Sequence, residues 1–356
     1  MISLQGFLND RPVQASAPCR IDAGGTWDIK AMALPLEGVE PVTVNMALNM
    51  RTLVTLFPYK DGWVKISSQG FSKGQAFPQD KMPFDSPFGL FFAAVSHFGC
   101  HGIHVHIQSE SPVKSALGGS STALIALLKA LSTVQAGAKH LTPKEILYLA
   151  YQLEDAVGGG NCGIQDQAAA VYGGVHQWLW RYGEPKVLYR KVPLLDRKGQ
   201  KALSQRILVA YSGKAHVSSR TNRNWIKGFL SGRTRTGWIE ANEVVHRFAR
   251  AIQGQQWEEA AWFVREEMAI RRKLTPEALT PVTAKLVSQA EQVGCGARFA
   301  GAGAGGSLWA IGELDRIERL KEVWEKALKP IKTARILPCA LDAAGVVQGE
   351  GLYMEG

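Results

Sequence analysis

Apolar positions recur along this chain with two periods. Between residues 41 and 57 the run PVTVNMALNMRTLVTLF alternates in part and is rich in Val and Thr, which predicts a strand. WVKISS (63–68) and IHVHIQ (103–108) predict two more, and GVHQWLW (174–180) and PKVLYRKV (185–192) predict strands that return across them. Helical spacing begins after Ser121, in ALIALLKAL, and after Pro143, where Ile146, Leu149, Ala150 and Leu153 share one side. Beyond residue 200 longer helical patterns take over, at Trp238–Ile252, Trp257–Leu274, Pro281–Val293 and Glu313–Lys329. Three short strands punctuate them: RILVAYS (206–212), SLWAIG (307–312) and ARILPCALD (334–342). The polar stretch LLDRKGQKALSQ (194–205) predicts a boundary between two domains, 1–202 and 203–356. Strands separated by helices in both halves predict an α+β fold, and 46% hydrophobic content is enough for two cores. No repeat of 20–50 residues is evident.

Three segments interrupt this pattern with glycine and polar residues. PVKSALGGSST (112–122) runs straight into an apolar helix. A small-residue turn at a helix start leaves backbone N–H groups unpaired where the helix dipole favours negative charge. Glycine permits close approach of a phosphate, and a serine hydroxyl can reach a phosphate oxygen or a magnesium ion. An ordinary capped helix is the plain alternative. LEDAVGGGNCGIQDQAAAVYGG (153–174) carries Glu154 near a helix C-terminus, where a carboxylate implies a compensating cation, and Asp166 at a helix start. A solvated charge and a simple cap are the alternatives there. FAGAGAGGSLWAIG (299–312) places a flexible loop before a strand, or a tight connection between packed elements.

The order of these segments resembles the GHMP kinase superfamily of small-molecule kinases, over positions 18 to 307. PVKSALGGSST stands for that family's central phosphate loop and GAGAGG for its third loop, while CRIDAGGTWDI (19–29) resembles the substrate motif of heptose 7-phosphate kinases and L-fucokinases. The resemblance implies a two-domain fold: an α/β domain of the ribosomal S5 domain 2 type followed by a ferredoxin-like domain, with substrate between them. It implies ATP held by Leu117, Gly118, Gly119, Ser120, Ser121 and Thr122, and Mg2+ held by Ser121 and Glu154. Asp166 aligns with the aspartate that accepts the acceptor's hydroxyl proton, and Arg20 with an arginine at the reacting end. Asp28, Gly25, Gly303 and Gly305 fall on the substrate side. With a cation such as Arg20 beside it, Asp166 could position the hydroxyl as well as deprotonate it, and both roles stay open. Three residues depart from the pattern. Ala116 replaces a glycine, so its backbone is expected to avoid positive φ. Trp27 intervenes before Asp28, and Arg298 stands where relatives often have Lys.

The resemblance implies phosphoryl transfer to a sugar or sugar phosphate, at the anomeric hydroxyl of a heptose 7-phosphate or fucose-like sugar. Alternatives on the same scaffold are a galactokinase, mevalonate-pathway or homoserine-type kinase, and a catalytically silent sugar sensor. GGTWD and QDQ weigh against the first group, and the joint presence of Ser121, Glu154 and Asp166 weighs against the sensor.

The net charge of +10 raises nucleic-acid binding as a separate class. Basic residues crowd 214–235 with Trp225 and Phe229 interleaved, which would suit base stacking, a lid over an anionic sugar phosphate, or a solvated face. The solvated face is preferred to either of the others. His104 and His106 share one strand face without a completing Cys, so an exposed face is preferred to a metal site. Five scattered cysteines, Cys162 among them, read as reduced thiols. No apolar run reaches membrane-spanning length and the start MISLQGFLNDR lacks a signal-peptide pattern, so a cytoplasmic location is expected. A homodimer is compatible with the sequence.

Overall fold

The computed structural model describes residues 2–134, 140–184, 187–215 and 218–349. The strand Val42–Pro58 is the spine of an eight-stranded sheet. One edge pairs antiparallel with Val13–Ala23 along its length. The other edge is shared by Ile103–Ser109, against residues 52–58, and Val175–Trp180, against residues 42–46. Trp63–Ser68 and Gln75–Pro78 extend the sheet on one side, and Tyr189–Pro193 on the other. The helices Gly89–His97, Gly119–Val134, Pro143–Gly158 and Gln165–Tyr172 contribute to the core that covers one face.

The second half is a four-stranded antiparallel sheet with strands in the order Gly296–Phe299, Ser307–Ile311, Ile207–Tyr211, Arg335–Leu337. Helices Pro281–Gln292 and Leu314–Leu328 cover one face. The other face packs with helices Arg235–Gln253 and Trp257–Leu274 against the first sheet, so one hydrophobic core joins the two halves. The α+β expectation holds in both halves.

The polar stretch 194–205 contains a helix, Arg197–Ser204, capped by the Asp196 side chain accepting from the Gly199 amide at 2.7 Å. Leu195 and Leu203, eight residues apart, are both buried and supply the apolar side that a polar composition conceals. The strand expected over 334–342 contracts to Arg335–Leu337, and the chain then returns to the first sheet, where Val347–Gly349 pairs with residues 14–16.

A bulge sets up the site. Between Pro18 and Cys19 the pairing partner jumps from Arg51 to Leu48. Before it, Val13, Ala15 and Ala17 belong to the helix-covered core; after it, Cys19, Ile21 and Ala23 belong to the core between the halves. The same strand thus packs on different cores on the two sides of the bulge, and beyond it Arg20 reaches the loop that precedes the helix Gly119–Val134 while Asp22 meets Arg298.

Candidate active site

The helix Gly119–Val134 starts with small residues and becomes wholly buried from Ser121 to Leu128. Its first amides have no intrahelical acceptor. The loop before it is fixed from outside. Leu117 O accepts from the Arg20 amide at 3.1 Å, Ser115 O from the Ser307 amide at 2.8 Å, and Ala116 O from Arg20 Nη1 at 3.0 Å. Against expectation, Ala116 has φ 63, as Lys114 has φ 56 and Gly118 φ 77. The left-handed conformation costs an alanine about 1–2 kcal/mol, and these long-range bonds offset it. Leu117 and Thr122 contribute backbone to the turn. Their side chains are buried, Leu117 in the shared core and Thr122 with its hydroxyl on Gly118 O at 2.8 Å.

Asp166 lies in the first turn of the helix Gln165–Tyr172. Arg20 Nε and Nη2 both reach Asp166 Oδ1 at 2.7 Å. A Cβ on Gly118 would lie 3.3 Å from the Asp166 carboxylate, a few tenths of an ångström inside ordinary contact, so the glycine turn and this carboxylate abut closely. Glu154, in the last turn of Pro143–Gly158, accepts from Ser121 Oγ at 3.0 Å and from Gln167 Nε2 at 2.6 Å. Burial, with a smaller contribution from the charge on Asp166, pushes the Glu154 carboxyl up to about 7.

These groups line one cavity of about 970 Å³ between the halves, together with Gly119, Ser120, Gly25 and Asp28. The Asp28 oxygens are already engaged: Oδ1 accepts from the Thr26 amide and Oδ2 from the Gln165 amide, both at 3.1 Å. Burial pushes the Asp28 carboxyl up to about 6 despite those bonds. Trp27 is wholly buried with its indole N–H on Trp238 O at 3.0 Å, which locks the register of Asp28. Gly303 and Gly305 do not line the cavity. A Cβ on Gly303 would meet Ala278 O at 2.5 Å, and one on Gly305 the carbonyls of Lys214 and Ala215 at 3.1 Å. They make close packing contacts, while Gly301 and Ala302 reach the cavity wall.

Behind Arg20 lies a buried charge network that sequence reasoning missed. Arg298 Nη1 pairs with Asp22 Oδ1 at 2.5 Å and Arg298 Nε with Glu267 Oε2 at 3.0 Å. Asp22 Oδ2 is 3.5 Å from Arg20 Nη1. The only local signal was the spacing of Arg20 and Asp22, two residues apart on one strand face.

The basic segment divides. Asn222 and Arg223 line the cavity, whereas Trp225 and Phe229 are buried, with Trp225 Nε1 on Glu277 Oε1 at 2.7 Å. Those rings are not available to stack on bases. The imidazoles of His104 and His106 share Ser67 Oγ, at 2.7 and 2.9 Å.

The donor set suits magnesium. Ser121 and Glu154 offer adjacent oxygens, and a cation would hold ionised a carboxylate that burial otherwise favours protonated. Among the described residues no group of three or more His, Cys, Asp or Glu could hold a metal. No helix of the described residues is long and apolar enough to cross a membrane.

Residues 89–174 match the family model of the GHMP kinases N terminal domain, and residues 249–330 that of the GHMP kinases C terminal. The chain is 28% identical over 329 residues to a mevalonate kinase of Thermococcus gammatolerans, covering 84% of this chain and 89% of that one. Lactococcus lactis galactokinase, solved with galactose, superposes with a TM-score of 0.73 at 16% identity, covering 97% of this chain and 98% of that one. A D-glycero-D-manno-heptose 1-phosphate kinase from Bacteroides thetaiotaomicron superposes with a TM-score of 0.62 at 17% identity, covering 96% and 100%. The chain has the two-domain fold of the GHMP kinases, and residues 89–174 and 249–330 carry the matches to that family's two domain models.

Proposed function

We propose that this chain, with its two GHMP kinase domains, is an ATP- and magnesium-dependent kinase that phosphorylates a hydroxyl of a sugar or sugar phosphate. One observation carries the reading: Asp166, anchored by Arg20, abuts the glycine turn whose helix also presents Ser121 to Glu154, all in one cavity. Phosphoryl transfer to an alcohol asks for placement, charge neutralisation and help with one proton. The amides of residues 117–121 would bind the triphosphate, and Ser121 and Glu154 would hold the magnesium. Magnesium neutralises charge on the phosphates when bound. Asp166 would orient the acceptor hydroxyl and take its proton, while Arg20 keeps the carboxylate aimed across the turn.

The acceptor side supports a polyhydroxylated molecule. Thr26, Asn161, Gln165 and Asn222 give the wall hydroxyl and amide groups, and Arg223 adds a cation suited to a phosphorylated acceptor. Heptose 7-phosphate and fucose-like sugars, phosphorylated at the anomeric hydroxyl, are the acceptors this combination favours. Mevalonate is the second reading, supported by the sequence relatives named mevalonate kinases. An ADP-release assay across free sugars, sugar 7-phosphates and mevalonate decides. Turnover on a sugar or its phosphate is expected. Turnover on mevalonate alone transfers the reading to the second acceptor, and nucleotide binding without turnover on any of them overturns the kinase.

A further inference from the structure

We infer that Arg298 is a positioning residue for the reaction: by neutralising Asp22, it leaves Arg20 committed to Asp166. The inference rests on the kinase reading above. The charges alternate along a buried chain, Glu267, Arg298, Asp22, Arg20, Asp166, which crosses from the second half of the molecule to the first. Asp22 and Arg298 have no exposed side-chain surface, and Arg20 and Glu267 almost none.

The geometry makes Asp22 a competitor. Its Oδ1 is taken by Arg298 Nη1, which also donates to the Asp22 carbonyl. Its Oδ2 is buried without a hydrogen-bond partner and lies 3.5 Å from Arg20 Nη1. Arg20 has only a few contacts to hold it against that pull: Asp166 Oδ1, and the carbonyls of Ala116 and Ala300 at 3.0 and 2.5 Å. Without Arg298, the buried Asp22 carboxylate would draw on Arg20, its nearest remaining guanidinium at 3.5 Å, and pull it away from Asp166. Arg298 is tied to Glu267 by two nitrogens, at 3.0 and 3.5 Å, and this bidentate hold fixes where its third contact falls. Lysine, a single point charge, cannot make the same set of bonds.

The two ends of the Asp22–Arg298 pair are therefore unequal. Arg298→Met should lower kcat about tenfold or more with the KM for ATP within about twofold, because the loss falls on the reacting end. Asp22→Asn alone should keep kcat within about threefold of wild type, and Asp22→Asn added to Arg298→Met should restore it to that range. Arg298→Lys should lie between. A merely structural pair would instead lose activity from either end in step with melting temperature, Asp22→Asn as much as Arg298→Met, and the double variant would recover kcat only as far as it recovers stability. That pattern overturns the inference, as does wild-type kcat in both Arg298 variants. If Arg298→Met does not fold, Arg298→Lys with and without Asp22→Asn gives the same comparison. Absence of ADP release from the wild-type protein overturns the kinase reading, and is thereby distinct from failure of the rescue.

Discussion

Ser121 Oγ donates to Glu154 Oε1 at 3.0 Å, joining the first turn of one helix to the last turn of another. The pair puts a neutral oxygen and a carboxylate side by side at the mouth of the glycine turn, the arrangement a hard divalent cation requires. Ser121→Ala and Glu154→Gln should each raise the magnesium concentration for half-maximal turnover by about tenfold or more. Chelation of magnesium should abolish turnover of the wild-type protein. A magnesium titration at saturating nucleotide and acceptor reads both, and unchanged half-saturation in both variants would remove these residues from the metal site.

Gly118 is where the turn and the carboxylate abut. At φ 77 a side chain costs about 1–2 kcal/mol of backbone strain, and its Cβ would press on Asp166 at 3.3 Å. Gly118→Ala should therefore lower melting temperature modestly and kcat strongly. Gly62, with φ 72 and open space around it, is the control: Gly62→Ala should share the strain and leave kcat intact.

Asp28 gives the molecule a pH signature. Its folded carboxyl keeps a proton up to about pH 6, while the ordinary value is 3.8. The folded state thus binds more protons across that window, and the contribution is present below about 3.8 and lost as pH rises through 6. Relative to wild type, Asp28→Asn should become more stable between pH 4 and pH 7, by up to about 3 kcal/mol, on top of a constant cost for the altered amide bonds. Denaturant unfolding at the two pH values checks this. A stability difference independent of pH would contradict it.

The turn, both acidic residues and most long helices were legible in the sequence, because each depends on local chemistry: glycine and serine at a helix start, apolar spacing along a helix. What escaped depends on distant contacts. Ala116 adopts positive φ because Arg20 and residues 115 and 307 hold its loop, and no local rule contains those partners. Arg298 stood out only as a departure from Lys, and nothing local links it to Asp22 or Glu267, which lie 276 and 31 residues away in sequence. Gly303 and Gly305 looked like a ligand loop, yet their glycines answer to neighbouring backbone. Trp225 and Phe229, interleaved with basic residues in a segment read as a solvated face, belong instead to a core around Trp238.

In the proposed reaction Asp166 acts on the acceptor hydroxyl while the neighbouring turn binds nucleotide independently of it. Asp166→Asn keeps the size of the side chain and removes its ability to take a proton. Its kcat for ADP release should fall about 100-fold or more, with magnesium–ATP affinity by calorimetry within about threefold of wild type. Turnover near the wild-type rate with nucleotide binding intact would contradict the account.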